Sequence, residues 1–163
     1  MQKATRQQTK DHNHRLVFRT IYGANEVSRA EVARLTGLTR PTVSAIVADL
    51  LDDRLVIETG QGPSAGGKPP TLLSINDAGR NLIAVDLSGD ELRAARLNLT
   101  GKILTRATLP AAGLSGDSLL DAVYQIIESV RPPSSASLLG LGIATPGLVD
   151  PYQGVVLRSV NLG

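Results

Sequence analysis

"SRAEVARLTGLTRPTVSAIVADLL", residues 28–51, has the apolar spacing of an α-helix, and a single glycine, Gly37, interrupts it. Ser28 can cap a first helix, and Glu31 stands three residues later, where a capping box has its second member. Gly37 follows the last apolar position, where glycine takes up a left-handed conformation at little cost and ends a helix. We therefore expect a short helix before Gly37. Its apolar face would consist of Val32, Ala33 and Leu35.

The residues after Gly37 predict a second helix. Thr39 can cap it, and Pro41 suits its first turn, where the missing N–H has no partner to lose. Two helices, a short turn that contains glycine and the small Ala33 at their crossing predict a helix-turn-helix. The inner face of the second helix would consist of Val43, Ile46, Val47 and Leu50, whereas Arg40, Thr42, Ser44, Ala45 and Ala48 fall largely outside it.

The outer face of the second helix carries small polar groups and one guanidinium. Such a face packs poorly against a core but suits a DNA major groove, where hydroxyl and guanidinium groups meet base edges and phosphates. We predict that Arg40, Thr42 and Ser44 contact base edges or the groove. An ordinary helical hairpin is the alternative that the pattern leaves open, because short motifs also match by accident. Candidates for phosphate contacts, through side chains and helix N-termini, are Ser28, Arg29 and Thr39.

The flanking residues favour a winged helix over residues 12–76. A preceding helix is predicted over residues 13–22, and its apolar residues are Leu16, Val17, Phe18 and Ile21. The segments "RLVIETG" and "TLLSIN" read as two strands that pair as a hairpin around the loop "QGPSAGGKPP". The one charge in this loop is Lys68, which we predict to contact the DNA backbone or minor groove at the wing tip. A flexible connector without contacts is the alternative.

The charge is concentrated at the N-terminus. Residues 1–75 carry ten Lys or Arg and seven Asp or Glu, a net +3, whereas residues 76–163 carry seven and eight, a net −1. This excess allows a polyanionic partner, although a solvated tail would look the same by composition. The absence of cysteine excludes disulfides and thiolate metal sites. His12 and His14 have no carboxylate or cysteine cluster nearby, so we interpret them as surface residues rather than metal ligands.

We expect a cytoplasmic protein with no membrane segment. The polar N-terminus "MQKATRQQTK" has no apolar stretch of the kind a signal peptide needs. The longest apolar run, around residues 138–144, is far too short to cross a bilayer.

The second half of the chain predicts an α/β unit. Three strands are expected in "NLIAVDLSG", "ELRAARLNLTG" and "KILTRATLP", the last two joined by a tight turn at Thr100 and Gly101. A continuous apolar strand, "LLGLGIATPG", is expected to be buried beside a parallel neighbour. Between them, "GDSLLDAVYQIIESV" predicts a crossover helix with an inward face of Leu119, Leu120, Val123, Ile126, Ile127 and Val130.

The two halves together resemble a known family. "IAVDLSGDELRAARLNLTGKIL" and "LGLGIATPGLVDPYQGVVLRSVNLG" look like the start of a ROK domain (repressor, open reading frame, kinase), which belongs to the actin-like sugar kinase superfamily. "SRAEVARLTGLTRPTVS" and "GGKPPTLLSIN" resemble the DNA-binding domain of the ROK transcriptional regulators. The resemblance implies an α+β protein in which a winged helix precedes a partial ROK domain over residues 80–163. It further implies a repressor of sugar metabolism genes that binds a double-stranded operator as a homo-oligomer and responds to a sugar effector.

Two other functions stay open on the residues. A sugar kinase of the same superfamily is one, but where the kinases have an Asp-x-Gly-Gly-Thr phosphate loop, residues 86–90 read Asp-Leu-Ser-Gly-Asp. The family's catalytic base and its zinc-binding motif come later in the domain than Gly163, so we expect no catalytic residues in this chain. A module that binds protein through the winged helix is the other. With only part of the domain in the chain, we expect residues 80–163 to have exposed apolar surface, to be weakly stable, or to associate with something that covers them.

Overall fold

The computed structural model describes residues 5–64, 66–132, 137–150 and 152–158. The chain divides into two units, Met1–Gly79 and Arg80–Gly163. The elements of the first unit are α1 (Arg6–Tyr22), β1 (Val27–Ser28), α2 (Arg29–Thr36), α3 (Arg40–Asp52), β2 (Val56–Gln61) and β3 (Thr71–Ile75). This order of three helices and a small sheet is that of a winged helix, as predicted.

The α1 helix begins at Arg6, about two turns before the residue at which we predicted it. Thr5 caps it, because the Thr5 hydroxyl accepts a hydrogen bond from the Gln8 N–H and the Gln8 side chain accepts one from the Thr5 N–H. The prediction was wrong here because it relied on apolar spacing, which starts only at Leu16. The polar first turns are stabilised by their capping box and need no apolar face of their own.

The turn between α2 and α3 confirms the reading of Gly37. Its φ is +70°, and its N–H donates to the Ala33 carbonyl at 3.0 Å, so the residue ends α2 in the left-handed conformation. Thr39 caps α3 in extended conformation and accepts from the Thr42 N–H at 3.3 Å. The inward residues of α3 are all buried, namely Val43, Ile46, Val47 and Leu50.

Two expectations for α2 were wrong. Leu35 is 56% exposed rather than inward, because the helix buries the face of Val32 and Ala33, and Leu35 lies at the edge of that face. The capping box is also only half formed. Ser28 accepts from the Glu31 N–H at 3.2 Å, but the Glu31 carboxylate binds Arg34 instead of the chain before the helix.

The wing is a three-stranded antiparallel sheet in the order β1-β3-β2. The predicted hairpin is confirmed, with Val56 opposite Ile75 and Gln61 opposite Thr71. One residue, Thr59, is bulged between the two halves of the ladder. The two-residue strand β1 pairs with β3 through Val27 and Ser28, so the sheet is anchored to the start of α2.

The second unit contains a four-stranded sheet with one helix, followed by a hairpin. Its sheet order is β6-β5-β4-β7, with antiparallel pairs except for the parallel pair of β4 and β7. The meander, the crossover helix and the parallel strand are therefore as predicted. The elements are β4 (Arg80–Asp86), β5 (Glu91–Asn98), β6 (Ile103–Pro110), α4 (Gly116–Ser129), β7 (Ser137–Ala144), β8 (Leu148–Asp150) and β9 (Val155–Arg158).

One face of this sheet packs against α4 to form the core of the unit. Ile83, Val85 and Leu92 meet Val123 and Ile126 there. Leu120 was expected in this core but is 49% exposed, because it lies on the flank of α4 rather than on the face toward the sheet.

Strand β7 is not buried, contrary to the prediction. It lies at the edge of the described sheet, beside β4, and its large side chains remain exposed. The expected exposed apolar surface in the second unit is thereby confirmed. It includes Leu138, Leu139, Leu141 and Ile143. Among the described residues, no helix combines the length and the apolar character needed to cross a membrane.

Candidate nucleic-acid interface

The exposed face of α3 presents two side chains that the rest of the unit does not use. Arg40 and Ser44 are exposed, and within the described part of the chain neither has a hydrogen-bond or ion-pair partner. The neighbouring positions on this face, Ala45 and Ala48, are exposed and small. A helix with such a face can approach base edges closely, because the side chains of Ala45 and Ala48 are only methyl groups.

Thr39 and Thr42 form a pair at the start of α3. Their hydroxyl oxygens lie 2.8 Å apart, and the Thr39 hydroxyl also accepts from the Thr42 N–H. The pair has two hydroxyl protons and uses one of them between its members, so one proton is left to donate outward. Thr42 is half-buried toward α1, whereas Thr39 is exposed. Of the two, Thr39 is the better placed for a phosphate.

The other three predicted residues meet between α2 and the wing. Ser28, Arg29 and Lys68 line one cavity of about 270 Å³. Lys68 is exposed in the loop that joins β2 to β3. The cavity is completed by Ala30, Pro69, Pro70 and Thr71. The seven predicted residues thus form two groups in the first unit, four at the start of α3 and three beside the wing.

Arg29 is already engaged in the free protein. Its Nη2 lies 2.8 Å from Oε1 of Glu58 on β2, with the two side chains 31% and 47% exposed. A phosphate contact by Arg29 therefore has to compete with this carboxylate. Sequence reasoning missed Glu58, because the pair is separated by 29 positions and no local spacing points to it.

A second ion pair lies along α2. The guanidinium of Arg34 binds the Glu31 carboxylate, and this hydrogen bond lowers the pKa of Glu31 below its usual value. An ionised carboxylate in the first turn of α2 would repel a phosphate approaching that helix end. Arg34 offsets that charge. The i, i+3 spacing of the two residues was the signal in the sequence, and it was not used.

A third group lies between α1 and α3 and was not predicted. Lys10 and His14 of α1 share a cavity of about 450 Å³ with Thr42 and Asp49 of α3. His14 Nε2 lies 3.3 Å from Asp49 Oδ2, so His14 is a half-buried residue at a helix contact rather than a plain surface residue. Its partner lies 35 positions away in the sequence, beyond the reach of pattern analysis.

The loop after β4 in the second unit closes on itself. Both the N–H and the hydroxyl of Ser88 donate to the Asp86 carboxylate, and these bonds, the hydroxyl's first, lower the Asp86 pKa. The N–H and hydroxyl of Ser88 are therefore already bonded within the loop and are not free to bind a nucleotide phosphate. The cavity beside it, about 460 Å³, is lined by three carboxylates and one guanidinium, those of Asp86, Asp90, Glu91 and Arg93. Its charge disfavours the phosphates of a kinase substrate.

Known proteins match both a part of the first unit and the chain as a whole. Residues 11–64 match the model of the MarR family, inside the first unit. The chain is 32% identical over 157 residues to a protein named putative xylose repressor from Caldicellulosiruptor sp., covering 94% of this chain and 39% of that protein. It is 31% identical over 151 residues to the xylose repressor of Bacillus subtilis, covering 90% and 39%.

A solved structure shares the fold of both units. It is described as a ROK family transcriptional regulator homologous to the Mlc protein of Escherichia coli, and it superposes with a TM-score of 0.76 at 21% identity. The match covers 95% of this chain and 40% of that one, so the chain spans about two fifths of the length of the proteins it matches. The winged helix, the sheet that follows it and these matches together make the chain similar in sequence to proteins named xylose repressors and similar in fold to a ROK family transcriptional regulator.

Proposed function

We propose that the chain is a DNA-binding transcriptional regulator that acts in the cytoplasm and represses genes of sugar metabolism. The observation that carries the proposal is the outer face of α3, on which Arg40 and Ser44 are exposed and have no partner among the described residues. A guanidinium that was buried, or hydrogen-bonded to other groups of the protein, would argue for a structural role. An exposed one beside small residues is suited to bind the O6 and N7 acceptors of guanine.

The wing supplies a second part of the interface in this proposal. Lys68 is exposed in the loop after β2, and it lies in one cavity with Ser28 at the N-terminus of α2. An ammonium and a helix N-terminus both attract phosphate oxygens. We assign Lys68 and Ser28 to the DNA backbone, and Arg40 and Ser44 to the bases. In this proposal Thr39 and Thr42 hold the first turn of α3 next to a phosphate.

The named relatives guide the choice of operator and effector. Those relatives are named xylose repressors, so xylose is the first effector to test. We propose that the whole protein binds a two-fold symmetric operator as a homo-oligomer. In helix-turn-helix dimers the two half-sites lie about one helical turn, 34–36 Å, apart. The operator should therefore be a palindrome with that spacing or a multiple of it.

Fluorescence anisotropy on the DNA upstream of the protein's own gene tests the proposal. We expect selective binding over a random duplex of equal length, weaker at the higher of two salt concentrations because the release of counterions, which drives binding, is less favourable at higher salt. Replacing Arg40 and Lys68 together by Ala should abolish the preference and most of the affinity. The matched control is the double change Lys102→Ala and Arg106→Ala, which removes two exposed cations of the second unit.

Two outcomes would contradict the proposal. One is equal affinity of wild type and the Arg40→Ala, Lys68→Ala variant for the upstream DNA. The other is an affinity for duplex DNA that does not change with salt, since binding to phosphates always gives a salt dependence. The absence of any salt-dependent affinity for DNA would favour the alternative, a winged helix that binds protein.

A further inference from the structure

A stripe of side chains on one face of α1 extends from the buried core toward the exposed N-terminal end of the helix. Val17 and Ile21 are fully buried, and His14, Lys10 and Arg6 continue the same face toward the N-terminus at spacings of three or four residues. Along this stripe the side chains change from buried to half-buried at His14 and to exposed at Lys10 and Arg6. The face of α1 that packs on the core therefore ends in two cations.

Two residues of this stripe, Lys10 and His14, line a cavity with α3. His14 lies 3.3 Å from Asp49, in the third turn of α3. Lys10, one turn earlier in α1, lines the same cavity as Thr42, which lies two turns earlier in α3. Lys10 therefore lines a cavity together with a residue of the first turn of α3, the end that carries Arg40, and Arg6 precedes Lys10 by one turn of α1.

The charge on this flank of α3 favours a polyanion. Within the described part of the chain Lys10 has no ion-pair or hydrogen-bond partner, and Asp11 beside it accepts a hydrogen bond from Gln7 at 2.8 Å. Asp49 is the carboxylate of the shared cavity, and it lies at the His14 end, away from the start of α3. The lining of the cavity also includes Lys10 and the two threonines Thr9 and Thr42.

We propose that Lys10, with Arg6 one turn before it, binds the phosphate backbone of duplex DNA on the flank of α3 that faces α1. The inference rests on the proposed function and adds a contact to it. In this arrangement α3 reads the bases while two separate cationic groups hold the backbone, Lys68 beside the start of α2 and Lys10 beside the start of α3.

The α1 helix itself offers a matched control. Arg15 and Arg19 are exposed cations on the same helix, but their positions are turned about half a circle away from the stripe of Lys10. The change Arg6→Ala with Lys10→Ala removes the same charge from the same helix as Arg15→Ala with Arg19→Ala. A general effect of net charge would act equally on both pairs. A contact with the backbone would act on the first pair alone.

The measurement is DNA affinity as a function of salt, on the upstream DNA and on random duplex. For the Arg6, Lys10 pair we expect equal losses on the two duplexes and a salt slope that is smaller by roughly 0.9 for each phosphate contact removed. The Arg15, Arg19 pair should keep both the affinity and the slope of wild type. Lys10→Arg should keep the slope, and Lys10→Gln should lower it, which separates charge from side-chain bulk.

The inference would be overturned if the two pairs lost the same affinity and slope, or if neither lost any. Both results leave the proposed function standing as long as the wild-type chain prefers the upstream DNA. A wild-type chain without affinity for any duplex would overturn the proposed function and this contact together. Far-ultraviolet circular dichroism of each variant checks that α1 remains helical. The four exposed side chains contribute little to the core.

Discussion

Arg29 and Glu58 form an ion pair, 2.8 Å from nitrogen to oxygen, that joins the first residue of α2 to the middle of β2. The pair places a carboxylate beside a residue whose position at a helix N-terminus suits a phosphate. In the free protein Glu58 therefore binds the guanidinium that we predict to contact a phosphate. A phosphate that binds Arg29 has to replace the carboxylate of Glu58.

Replacing Glu58 by Gln should therefore strengthen DNA binding. The change frees Arg29 and removes a negative charge, so the salt slope on any duplex should rise by roughly 0.9 if Arg29 then binds a phosphate. Stability should fall little, because a partly exposed ion pair contributes only about 0.2–1 kcal/mol. Glu128→Gln, which breaks an ion pair with Arg131 in the second unit, is the control. Weaker binding by the Glu58 variant would mean that the pair positions the wing instead.

Single changes at Arg40 and Lys68 should affect different quantities. Arg40→Ala should cost about 1–3 kcal/mol on the upstream DNA and far less on random duplex, because a base contact is lost. Lys68→Ala should weaken binding to both duplexes alike and reduce the salt slope by about 1. Titration of each variant on both duplexes measures the two effects. The assignment of roles is contradicted if the variants exchange these patterns.

Gly37→Ala should destabilise the first unit by about 1–2 kcal/mol, the cost of a left-handed conformation for an L-residue. No atom lies within 4 Å of where the new Cβ would stand, so the loss comes from backbone conformation and not from a clash. Gly23→Ala is the matched control. Its φ is −79° and its Cβ would meet one carbonyl oxygen at an ordinary 3.4 Å. Thermal unfolding that shows equal losses for both variants would contradict this reading.

Thr39→Ala should loosen the start of α3. Loss of a capping oxygen typically costs about 1 kcal/mol, and Thr39→Ser should restore it because the hydroxyl is kept. Hydrogen exchange of the Thr42 and Val43 amides in the full chain reports the effect locally. We expect faster exchange in the Ala variant and wild-type exchange in the Ser variant. Unchanged protection of the Thr42 amide in the Ala variant would show that its hydrogen bond to Thr39 does not hold the turn.

Acid should weaken the loop after β4. Because Ser88 lowers the pKa of Asp86 below the usual 3.8, the ionised carboxylate stabilises the fold. This stabilisation is complete above the unfolded pKa and is lost as the pH falls through the folded pKa. Ser88→Ala should move the Asp86 pKa, followed by NMR, back up, whereas Ser88→Thr should leave it low. If the Asp86 pKa is the same in wild type and in Ser88→Ala, the hydrogen bonds from Ser88 are not what lowers it.

Local signals predicted well what local interactions determine. Gly37, Thr39 and the buried stripe of α3 were all apparent from spacing and residue type, because a cap, a left-handed glycine and a 3.6-residue period act within a few positions. Leu35, Leu120 and strand β7 were predicted to be buried and are exposed. Their burial depends on which elements cover them, and apolar character alone does not specify a neighbour. The Arg29–Glu58 and His14–Asp49 pairs lie 29 and 35 positions apart, out of reach of any pattern.

Ser28 belongs to two elements at once. Its backbone pairs with Leu72 in the sheet of the wing, and its hydroxyl accepts from the Glu31 N–H at the start of α2. Ser28 therefore links β3 of the wing to the start of α2, which packs against α3. We expect a wing that binds DNA to be coupled through this serine to the position of the two helices. Groove width beneath the wing should then influence which operator the protein prefers, even at bases that α3 does not touch.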